Sequence, residues 1–432
     1  MFGSGANGGG NFRSMERLSE NLFNILRENE KHLGTTCTAA SSDVWFDELI
    51  RNAAQKFAQP VAILIDEYDK PILDNIDQPE MAAQAREELK GLYSVIKGND
   101  AHIRFAFLTG VTKFSKVSVF SGINNIEDIS LASEFATICG YTQHDLETVF
   151  AEHLEGTDMD EVKLWYDGYS FMGDHVYNPF DILLFLDNEQ TFKNYWFETG
   201  IPTFLVKMLK QHGFFLPSLN SIKVGEELLT SFDIDNISLV ALLFQAGYLT
   251  IKKALLDGVM TEYSLGFPNL EVSAAFTNSL LDIFASPESK FPVRKNLITA
   301  LRTRDMEQFK PAIHALFAAI SYHNYTNNDI ARYEGFYASV IFAWLSSISV
   351  RLIVEDSTNK GRIAMSVEMA DTIYLIEFKV DMPQQKPLAQ IKIKGYAEKY
   401  QSRNKKIVLI GIGFSSEEKN VTEFVWEEAS DN

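Results

Sequence analysis

An acid and a base stand two residues apart in the apolar segment YLIEFKV (374–380), namely Glu377 and Lys379. Successive side chains of a β-strand point to opposite faces of its sheet, so residues two apart share a face. Charged groups are costly to bury on an apolar strand unless they are paired or bind something. The segment therefore predicts a strand that presents a carboxylate and an ammonium group on one face.

The tripeptide from Glu377 to Lys379 has the form (D/E)-x-K, which nucleases of the PD-(D/E)XK type carry on one strand, after a strand that ends in Asp. The two carboxylates of such a site hold Mg²⁺, which activates water, and the Lys orients the nucleophile or stabilises charge. Glu334 on the preceding predicted helix adds a candidate carboxylate. Gln390 on the following predicted helix would contact substrate or support the Lys. E-x-K is common, and its placement among these elements is what makes it informative.

The strand before, GRIAMSV (361–367), carries Ala364 at the position where this pattern has its Asp. An alanine side chain cannot bind a metal ion. Glu355 and Glu368 are close in the sequence, but neither is in the expected register. We therefore expect Mg²⁺ or Mn²⁺ as the ion and Glu377 and Glu334 as its ligands, with one main ligand missing.

A second candidate site ends the segment AILIDEYDK, where Asp66 and Glu67 follow an apolar strand. This is the layout of a Walker B motif, in which the Asp contacts the magnesium of a bound nucleotide and the Glu polarises the attacking water. Thr109, in the LTG that closes the next predicted strand, fits a position that senses the γ-phosphate. For an isolated match a strand capped by soluble residues is the favoured interpretation, and Thr109 shifts the balance towards a nucleotide site.

The elements that would position these residues follow from hydrophobic periodicity. The first part predicts helices over 15–32, 43–57 and 79–97, and buried strands at the start of 60–74 and over 103–110. The apolar run of the first strand is typical of a strand buried on both faces of a parallel sheet. Strand, helix and strand form a βαβ unit. The fold class is therefore α/β.

The rest of the chain divides into a helical and a mixed part. Residues 140–325 are predicted to be mostly helical, with a helix and a β-hairpin over 238–269 that resemble a winged helix. The segment WYDGYSF (165–171) is interpreted as a packed aromatic turn with Gly168 at positive φ. The last hundred residues predict a helix over 334–348, strands over 361–369, 372–380 and 406–414, and a helix over 387–400.

Composition narrows the class of protein. The 432 residues are 46% hydrophobic, carry a net charge of −19 and contain 2 Cys, which favours a cytoplasmic protein without a disulfide framework. No apolar run long enough to cross a membrane and no signal peptide is visible. The acidic balance argues against a large nucleic-acid surface, although the basic run over 390–408 leaves a local groove open beside the alternative of a solvated amphipathic helix.

The chain resembles a bacterial family that fuses an AAA-ATPase-like domain to a C-terminal PD-(D/E)XK nuclease domain. The resemblance extends from about residue 15 to residue 415. The blocks that carry it, in order, are LIDEYDKPILD, FLTGVTKFSKVSVFSGINNIEDISL, WYDGYSF, VYNP, YWFETG, GRIAMSV, YLIEFKV and QIKIKGYAEKY.

This resemblance implies ATP binding or hydrolysis and metal-dependent cleavage of nucleic acid, with DNA as the expected substrate and no membrane partner. It implies an ATPase-like domain over 1–138 without Walker A, a helical or winged-helix-like region over 139–325 and a nuclease-like domain over 326–432. AAA relatives often form rings, so a homo-oligomer stays open. The residues that match family positions are Asp66 and Glu67 (Walker B), Thr109 (sensor), and Glu334, Glu377, Lys379 and Gln390 (nuclease).

Two departures from the family pattern stand out. The family's phosphate loop, of the form RRFGKS, precedes the region where this chain begins, and no G-K-[ST] occurs in the chain. Either the sequence is a piece of a longer protein, or the gene has lost its ATPase. The family's GRID reads GRIA here, and the intact neighbours Gly361 and Arg362 favour an introduced substitution over natural degeneration.

Two main hypotheses of function follow. One is a magnesium-dependent nuclease joined to an ATPase-like module, impaired at both centres. The other is a non-catalytic platform that binds nucleic acid or protein through the two surviving folds. A third, less favoured interpretation is an ATP-driven remodeller whose nuclease domain only grips DNA.

Overall fold

The structure is a computed structural model that describes most of the chain. The described residues are 14–76, 78–111, 119–120, 123, 125–195, 219, 222–230, 238–258, 260–281, 287–320, 334–358, 360–382 and 386–429. The glycine-rich opening, residues 112–118 of the second family block and residues 196–200 of YWFETG lie outside them.

The chain divides into two compact units. One comprises Met1–Ser130, Val224–Gly247 and Leu256–Glu262. The other comprises Leu131–Lys223, Tyr248–Leu255 and Tyr263–Asn432, so most of the middle region and the whole C-terminal part share a unit. The division into three domains expected from the sequence stays a prediction.

The N-terminal part of the first unit contains the expected βαβ arrangement. Its elements are α1 (Met15–Leu33), α2 (Ser42–Phe57), β1 (Val61–Ile65), α3 (Lys70–Leu73), α4 (Pro79–Gly98) and β2 (Ile103–Leu108). Strands β1 and β2 are parallel, and Ile65 pairs with Leu108, so the residues after both strands meet at one edge. The N-terminal parallel sheet predicted from the sequence is confirmed.

The expectation that β1 is buried on both faces is wrong for the described residues. Ile63 and Ile65 are buried, but Leu64 is 41% exposed, and Phe105 of β2 is 54% exposed. One face of the two-stranded sheet therefore packs against the rest of the described unit, and the other does not. An apolar run shows that a strand is hydrophobic, but it does not show whether one face or both faces of the strand are buried.

The middle of the chain is mostly helical, as predicted. Its elements are α5 (Gln143–Thr148), α6 (Met159–Tyr166), α7 (Pro179–Asp187), β3 (Ile222–Gly225), α8 (Glu226–Thr230), α9 (Leu239–Gln245), β4 (Thr250–Asp257), β5 (Met260–Gly266), α10 (Leu270–Leu280), α11 (Pro287–Thr303) and α12 (Met306–Ala318). The succession of α9, β4 and β5 matches the helix and two strands expected over 238–269. The likeness to a winged helix stays a prediction.

The WYDGYSF segment forms a packed aromatic turn at the end of α6. Tyr166 is fully buried, and its ring centroid lies 5.4 Å from that of Phe185. Gly168 has a φ of 121°, and Tyr169 forms an antiparallel bridge with Val176. The expectation of a positive φ at Gly168 is confirmed.

The C-terminal part is a five-stranded mixed sheet between helices. Its elements are α13 (Glu334–Ser346), β6 (Arg351–Thr358), β7 (Gly361–Glu368), β8 (Thr372–Val380), α14 (Lys386–Ile393), β9 (Lys406–Ser415) and β10 (Asn420–Glu428). The strand order is β10-β9-β8-β7-β6. Strands β8 and β9 are parallel and joined through α14, whereas the other neighbouring pairs are antiparallel.

Three details of this sheet differ from the expectation. Strands β6 and β10 are additional edge strands, and their charged residues disguise the alternation of a strand. The helix expected over 387–400 is interrupted at Gly395, which has a φ of 56°. A 3-10 helix over Tyr396–Arg403 follows instead.

Strand β8 is the central element of the sheet, and its two faces pack differently. Tyr374 points away from α14, and its hydroxyl donates to the carbonyl of Leu301 at 2.6 Å. The other face belongs to a buried cluster beneath α14 and the 3-10 helix. The cluster contains Ile363, Ile373, Leu375, Ile391, Tyr396, Tyr400, Ile407 and Leu409. Glu377 and Lys379 continue the face of Ile373 and Leu375, as strand periodicity requires.

No described helix is long and apolar enough to span a membrane.

Candidate functional site

The centre of the candidate site is the carboxylate of Glu377, near the end of β8. Glu377 is 3% exposed, in a strand whose residues from Thr372 to Phe378 are all buried. Its Oε1 accepts a hydrogen bond from Lys379 Nζ at 3.0 Å. Its Oε2 is buried without a hydrogen-bond partner in the described residues. A buried carboxylate with one free oxygen is costly unless another group completes it.

The ammonium group of Lys379 donates to three acceptors, two on β8 and one on α13. Besides Glu377, its Nζ donates to the carbonyl of Phe378 at 2.7 Å and to Glu334 Oε1 at 3.4 Å. Glu334 is the first residue of α13, and its side chain is 46% exposed. The structure therefore brings together three of the site residues expected from the sequence: Glu377, Lys379 and Glu334.

Burial and charge act in opposite directions on the two central groups. Burial raises the pKa of Glu377, while Lys379 and the backbone of Ala364 lower it, and burial prevails. Burial lowers the pKa of Lys379, but attraction to Glu377 and Glu334 outweighs burial and raises this pKa. Lys379 is therefore an ammonium group at neutral pH.

Ala364 lies beside the Glu377 carboxylate, on the neighbouring strand. The antiparallel pairing of β7 with β8 ends at Met365 and Ile376, the residues next to Ala364 and Glu377 in their strands. The effect of the Ala364 backbone on the pKa of Glu377 agrees with this proximity. An acid at position 364 would begin next to the buried carboxylate.

Two other acids near the strand are engaged elsewhere. Glu355 has a φ of 46° and accepts a hydrogen bond from Arg362 Nη1 at 2.7 Å. Glu368 is bonded by Arg403 Nη1 at 2.7 Å and Lys405 Nζ at 3.0 Å. Burial raises the pKa of Glu368, but its basic neighbours outweigh burial and lower this pKa.

Gln390 lies on α14 but does not join the cluster in the described residues. Helix α14 packs on the sheet face that carries Glu377, because a Cβ at Gly411 of β9 would lie 2.6 Å from the backbone nitrogen of Leu388. The side chain of Gln390 is partly exposed, and no hydrogen bond links it to Glu377 or Lys379 in the described residues.

The donor set fits a divalent metal only in part. Glu377 and Glu334 offer carboxylate oxygens, the ligands that Mg²⁺ and Mn²⁺ prefer, and Glu377 Oε2 is free to take a cation. However, the described residues contain no group of three or more His, Cys, Asp or Glu that could hold a metal ion. The cluster therefore supplies two carboxylates, and Ala364 lies beside one of them.

The second candidate site lies at the shared edge of β1 and β2. Thr109 Oγ1 donates to Asp66 Oδ1 at 2.5 Å, so the residues after the two parallel strands do meet. The same Asp66 oxygen accepts from the backbone nitrogen of Glu67 at 3.0 Å, and Glu67 has a φ of 53°. Asp66 is exposed. Sequence reasoning missed Asp69, which is fully buried and accepts from the Val111 backbone nitrogen at 3.2 Å, although it lies in the same acidic run.

A second group that sequence reasoning missed supports the nuclease-like sheet. Asp356 of β6 is 6% exposed and receives hydrogen bonds from Tyr400 and Lys399. The Tyr400 hydroxyl also lies 3.0 Å from Ser366 Oγ. This network ties the 3-10 helix to β6 and β7. Because β6 was not recognised as a strand, its buried acid had no signal in the sequence.

The basic run over 390–408 is largely matched by acids. Lys392 Nζ lies 2.6 Å from Glu427 Oε2, and Lys399 is bound to Asp356. Arg403 and Lys405 share Glu368. Most of the positive charge of this run, for which the sequence left both a local groove and a solvated helix open, is therefore matched by acids of the C-terminal part.

Comparison with known proteins agrees with both halves of the fold. A family model described as "Predicted AAA-ATPase" matches residues 8–120, and a model of the PD-(D/E)XK nuclease superfamily matches residues 332–424. The chain is 45% identical over 423 residues to a protein of Azotobacter chroococcum mcd 1, described as an uncharacterized protein in the vnfD 5′ region. The match covers 97% of this chain and 82% of that protein.

No solved structure matches the chain. The two models match its two ends in the order that the motifs predicted, and the relative is similar along nearly the whole length. The chain therefore belongs to the family that joins an AAA-ATPase-like domain to a domain of the PD-(D/E)XK nuclease superfamily.

Proposed function

We propose that this chain is a metal-dependent nuclease, with DNA as its substrate, in which Ala364 impairs cleavage. The observation that carries the proposal is the Glu377 carboxylate, which is buried, held by Lys379 on one oxygen and free on the other. Structural acids are normally completed by donors, as Asp356 is by Tyr400 and Lys399. A free oxygen beside an exposed second carboxylate is typical of a site that takes a cation.

Glu377 and Glu334 would hold Mg²⁺ or Mn²⁺, which supplies activation of water and stabilisation of charge on the phosphate. The role of Lys379 follows from its protonation. Since its pKa is raised, it is poorly suited to remove a proton from water at neutral pH. It acts instead as a fixed donor that orients the nucleophile or stabilises the charged phosphate oxygens.

Ala364 explains the expected impairment. A third carboxylate at this position would start beside Glu377 and complete the donor set that the described residues lack. With Ala364, the site keeps its geometry but holds a metal weakly. Nucleic acid would then bind without efficient cleavage.

The ATPase-like part has a smaller role in the proposal. Asp66 and Thr109 are hydrogen-bonded at one edge of the sheet; in a nucleotide site Asp66 would bind the metal, Thr109 would sense the γ-phosphate and Glu67 would polarise water. No G-K-[ST] for binding phosphates occurs in this sequence. ATP is therefore proposed as a ligand of the family's ATPase-like module and not as one that this chain binds tightly by itself.

The experiment is a cleavage assay with Mg²⁺ or Mn²⁺ on linear, circular and single-stranded DNA and on RNA. It compares the unchanged chain with the Ala364→Asp and Ala364→Asn variants, which are similar in size and differ in charge. We expect only Ala364→Asp to cut efficiently, and the cut products to distinguish endonuclease from exonuclease action. EDTA should abolish the activity.

The matched control is Lys379→Ala in the Ala364→Asp background. It should lose cleavage, because the fixed donor is gone while the added acid remains. Cleavage that persists in this double variant would place the activity outside the Glu377 cluster. If Ala364→Asp binds Mn²⁺ by calorimetry yet cuts none of the four substrates, the nuclease proposal fails.

A non-catalytic platform is the second candidate function, and one observation favours it. The Lys379 ammonium lies within hydrogen-bonding range of both carboxylates and already neutralises part of their charge. A site in this state would be stable without a metal. Binding of DNA, RNA or protein by the unchanged chain, with no cleavage by any variant, would identify this function.

A further inference from the structure

A polar cleft in the second unit, outside the nuclease-like cluster, has no assigned role. It has a volume of about 350 Å³ and lies between the WYDGYSF turn, the start of α10 and the start of β6. We call it the Asp167 cleft. Its charged and amide-bearing lining residues are Lys163, Asp167, His175, Lys252, Asn269 and Arg351. This volume is within the range of small-molecule sites.

The walls of the Asp167 cleft are held by specific bonds. Lys252 Nζ of β4 donates to the carbonyl of Pro268 at 2.8 Å. Thr250 Oγ1 accepts from the Ser170 backbone nitrogen at 2.8 Å, which ties the turn to β4. A Cβ at Gly168 would lie 2.2 Å from the Pro268 carbonyl oxygen, so only glycine lets the two walls approach. The cleft is therefore a preformed feature of the fold.

Two buried polar groups of the cleft lack hydrogen-bond partners in the described residues. Asp167 is 7% exposed, and its Oδ1 has no partner. Asn269 is 9% exposed, and its Nδ2 has none, while its Oδ1 caps α10 by accepting from the Val272 nitrogen at 3.0 Å. Such groups are costly to bury unpaired. An acceptor and a donor without partners on two residues that line the same cleft match a ligand edge that carries both a donor and an acceptor.

The charges of the cleft favour an anion. Lys163, Lys252 and Arg351 line it against one described acid, Asp167, in a chain whose net charge is −19, and the His175 ring adds an N–H donor. His175 Nδ1 lies 3.9 Å from Asp167 Oδ2, and Arg351 Nη1 lies 3.4 Å from Glu368 Oε2. The first turn of α10 adds backbone N–H groups at the positive end of an 11-residue helix.

We propose that the Asp167 cleft binds a 5′-phosphorylated nucleotide, either free or at the end of a nucleic-acid strand. The phosphate lies near Lys163, His175, Arg351 and the start of α10. The base pairs its edge with the open groups of the cleft, donating an N–H to Asp167 and accepting from Asn269. Phe267 and Leu352 supply apolar walls. The proposal is independent of whether the Glu377 cluster cleaves nucleic acid.

The test is isothermal titration of the full chain, in EDTA to prevent cleavage. The probes are AMP, GMP, CMP and UMP, the four matching nucleosides, inorganic phosphate, and dinucleotides with a 5′-phosphate or a 5′-hydroxyl. At least one monophosphate should bind about tenfold or more tightly than its nucleoside and than phosphate. Tight binding of monophosphates identifies a free nucleotide; tight binding of the phosphorylated dinucleotide alone identifies a strand end.

Three conservative variants separate the contacts to the base from those to the phosphate. Asn269→Asp keeps an oxygen that caps α10 but removes the open donor and adds a negative charge, and it should weaken binding about tenfold or more. His175→Gln and Arg351→Gln change exposed side chains and should weaken the monophosphate more than the nucleoside. Lys310→Gln, an exposed position on α12 outside the cleft, is the control and should leave binding unchanged.

Hydrogen–deuterium exchange of the unchanged chain gives a readout that does not depend on the folding of any variant. A bound monophosphate should protect peptides that cover 163–175 and 267–273. The proposal is overturned if no probe binds, if nucleoside or phosphate alone binds as tightly as the monophosphate, or if protection appears elsewhere and Asn269→Asp binds normally.

Discussion

The two acidic sites of this chain differ in how the fold treats a carboxylate. Asp66 is exposed at the edge of a two-stranded sheet, where Thr109 and a backbone nitrogen hold one of its oxygens. Glu377 is 3% exposed in the centre of a five-stranded sheet, and an ammonium group holds it. Water can solvate the first group, whereas the second depends on Lys379.

The two sites therefore differ in what holds the carboxylate: water surrounds Asp66, whereas the protein itself fixes Glu377 through Lys379. An exposed Asp costs the fold little, because water solvates its charge. A buried Glu with an unpartnered oxygen destabilises the folded state, and a counter-charge close by is needed to offset this. The C-terminal cluster should therefore respond to mutation and pH far more than the N-terminal edge.

A third acidic group extends the comparison. Asp181 of α7 and Glu271 of α10 are both 0% exposed, and Glu271 is close enough to lower the pKa of Asp181, although burial outweighs this effect and raises it. Asp181 therefore has another acid as its neighbour, where Glu377 has a lysine. The three groups form a series: an exposed acid, a buried acid with a cation, and a buried acid beside another acid.

The largest expected effect is that of Lys379→Met, which leaves Glu377 buried without its counter-charge. We expect a loss of about 3–5 kcal/mol in the free energy of unfolding at neutral pH, measured by urea denaturation. The variant raises the pKa of Glu377 further. A carboxyl with a raised pKa contributes stability below its unfolded pKa and loses it as pH rises, so the deficit should shrink as pH falls towards the unfolded value.

The control for this prediction is the double variant Lys379→Met with Glu377→Gln. It removes both charges and should recover most of the loss. A deficit of less than about 1 kcal/mol in the single variant would mean that Glu377 is not sensitive to its partner, and the contrast with Asp66 would disappear.

The next effect concerns pH and the Asp181 pair. Burial raises the pKa of Asp181 from 3.8 to about 6. The folded state then holds a proton that the unfolded state releases, so stability is full below pH 3.8 and declines as pH rises to about 6. The decline is on the order of 3 kcal/mol.

Asp181→Asn should remove this decline while keeping the size of the side chain. The measurement is the free energy of unfolding at several pH values between 4 and 7 for both chains. Equal pH slopes in the two chains would show that the buried acid pair does not titrate as described.

Ala364→Asp should have a smaller effect, and one that reverses with metal. Without a divalent ion, the added charge beside Glu377 costs about 1 kcal/mol, partly offset by Lys379. With Mn²⁺ in excess the variant should melt at a higher temperature than without it, because an ion that binds only the folded state stabilises it. The melting temperature of Ala364→Asn should not change with Mn²⁺. An equal rise in Ala364→Asn would show that the residue at position 364 does not bind the metal through a carboxylate.

The smallest effect is expected at the exposed edge. Thr109→Val removes the hydrogen bond to Asp66 but leaves that acid in water, so the loss should stay below about 1 kcal/mol. The measurement is again urea denaturation at neutral pH. A loss as large as that of Lys379→Met would contradict the distinction between the two sites.

The accuracy of the sequence interpretation varied with the type of signal. Strand periodicity correctly put Glu377 and Lys379 on one face, and the identity of Gly168 correctly predicted a positive φ. The edge strands β6 and β10 were missed because edge strands carry charged residues that break the apolar pattern. The exposed face of β1 was missed because apolar content does not report which layers cover a strand.

Hydrogen bonds between side chains were the feature that the sequence predicted least well. The sequence put Gln390 on the right helix, yet no hydrogen bond links its side chain to Glu377 or Lys379 in the described residues. It gave no hint of the bonds from Tyr400 and Lys399 to Asp356. Such contacts depend on distances across the sheet, and Asp356 is separated from Lys399 by 43 positions and from Tyr400 by 44 positions in the chain.

By itself, the sequence determined which residue types stand on which elements, because periodicity and turn residues act over a few neighbours along the chain. It therefore established the order of the two domains, the face shared by Glu377 and Lys379, and the absence of an acid at position 364. Only the tertiary structure decided that Lys379 lies between two carboxylates, that one oxygen of Glu377 is left open, and that Asp167 and Asn269 face one cleft. Burial, which makes these charges costly and their partners decisive, is a property of packing between distant segments.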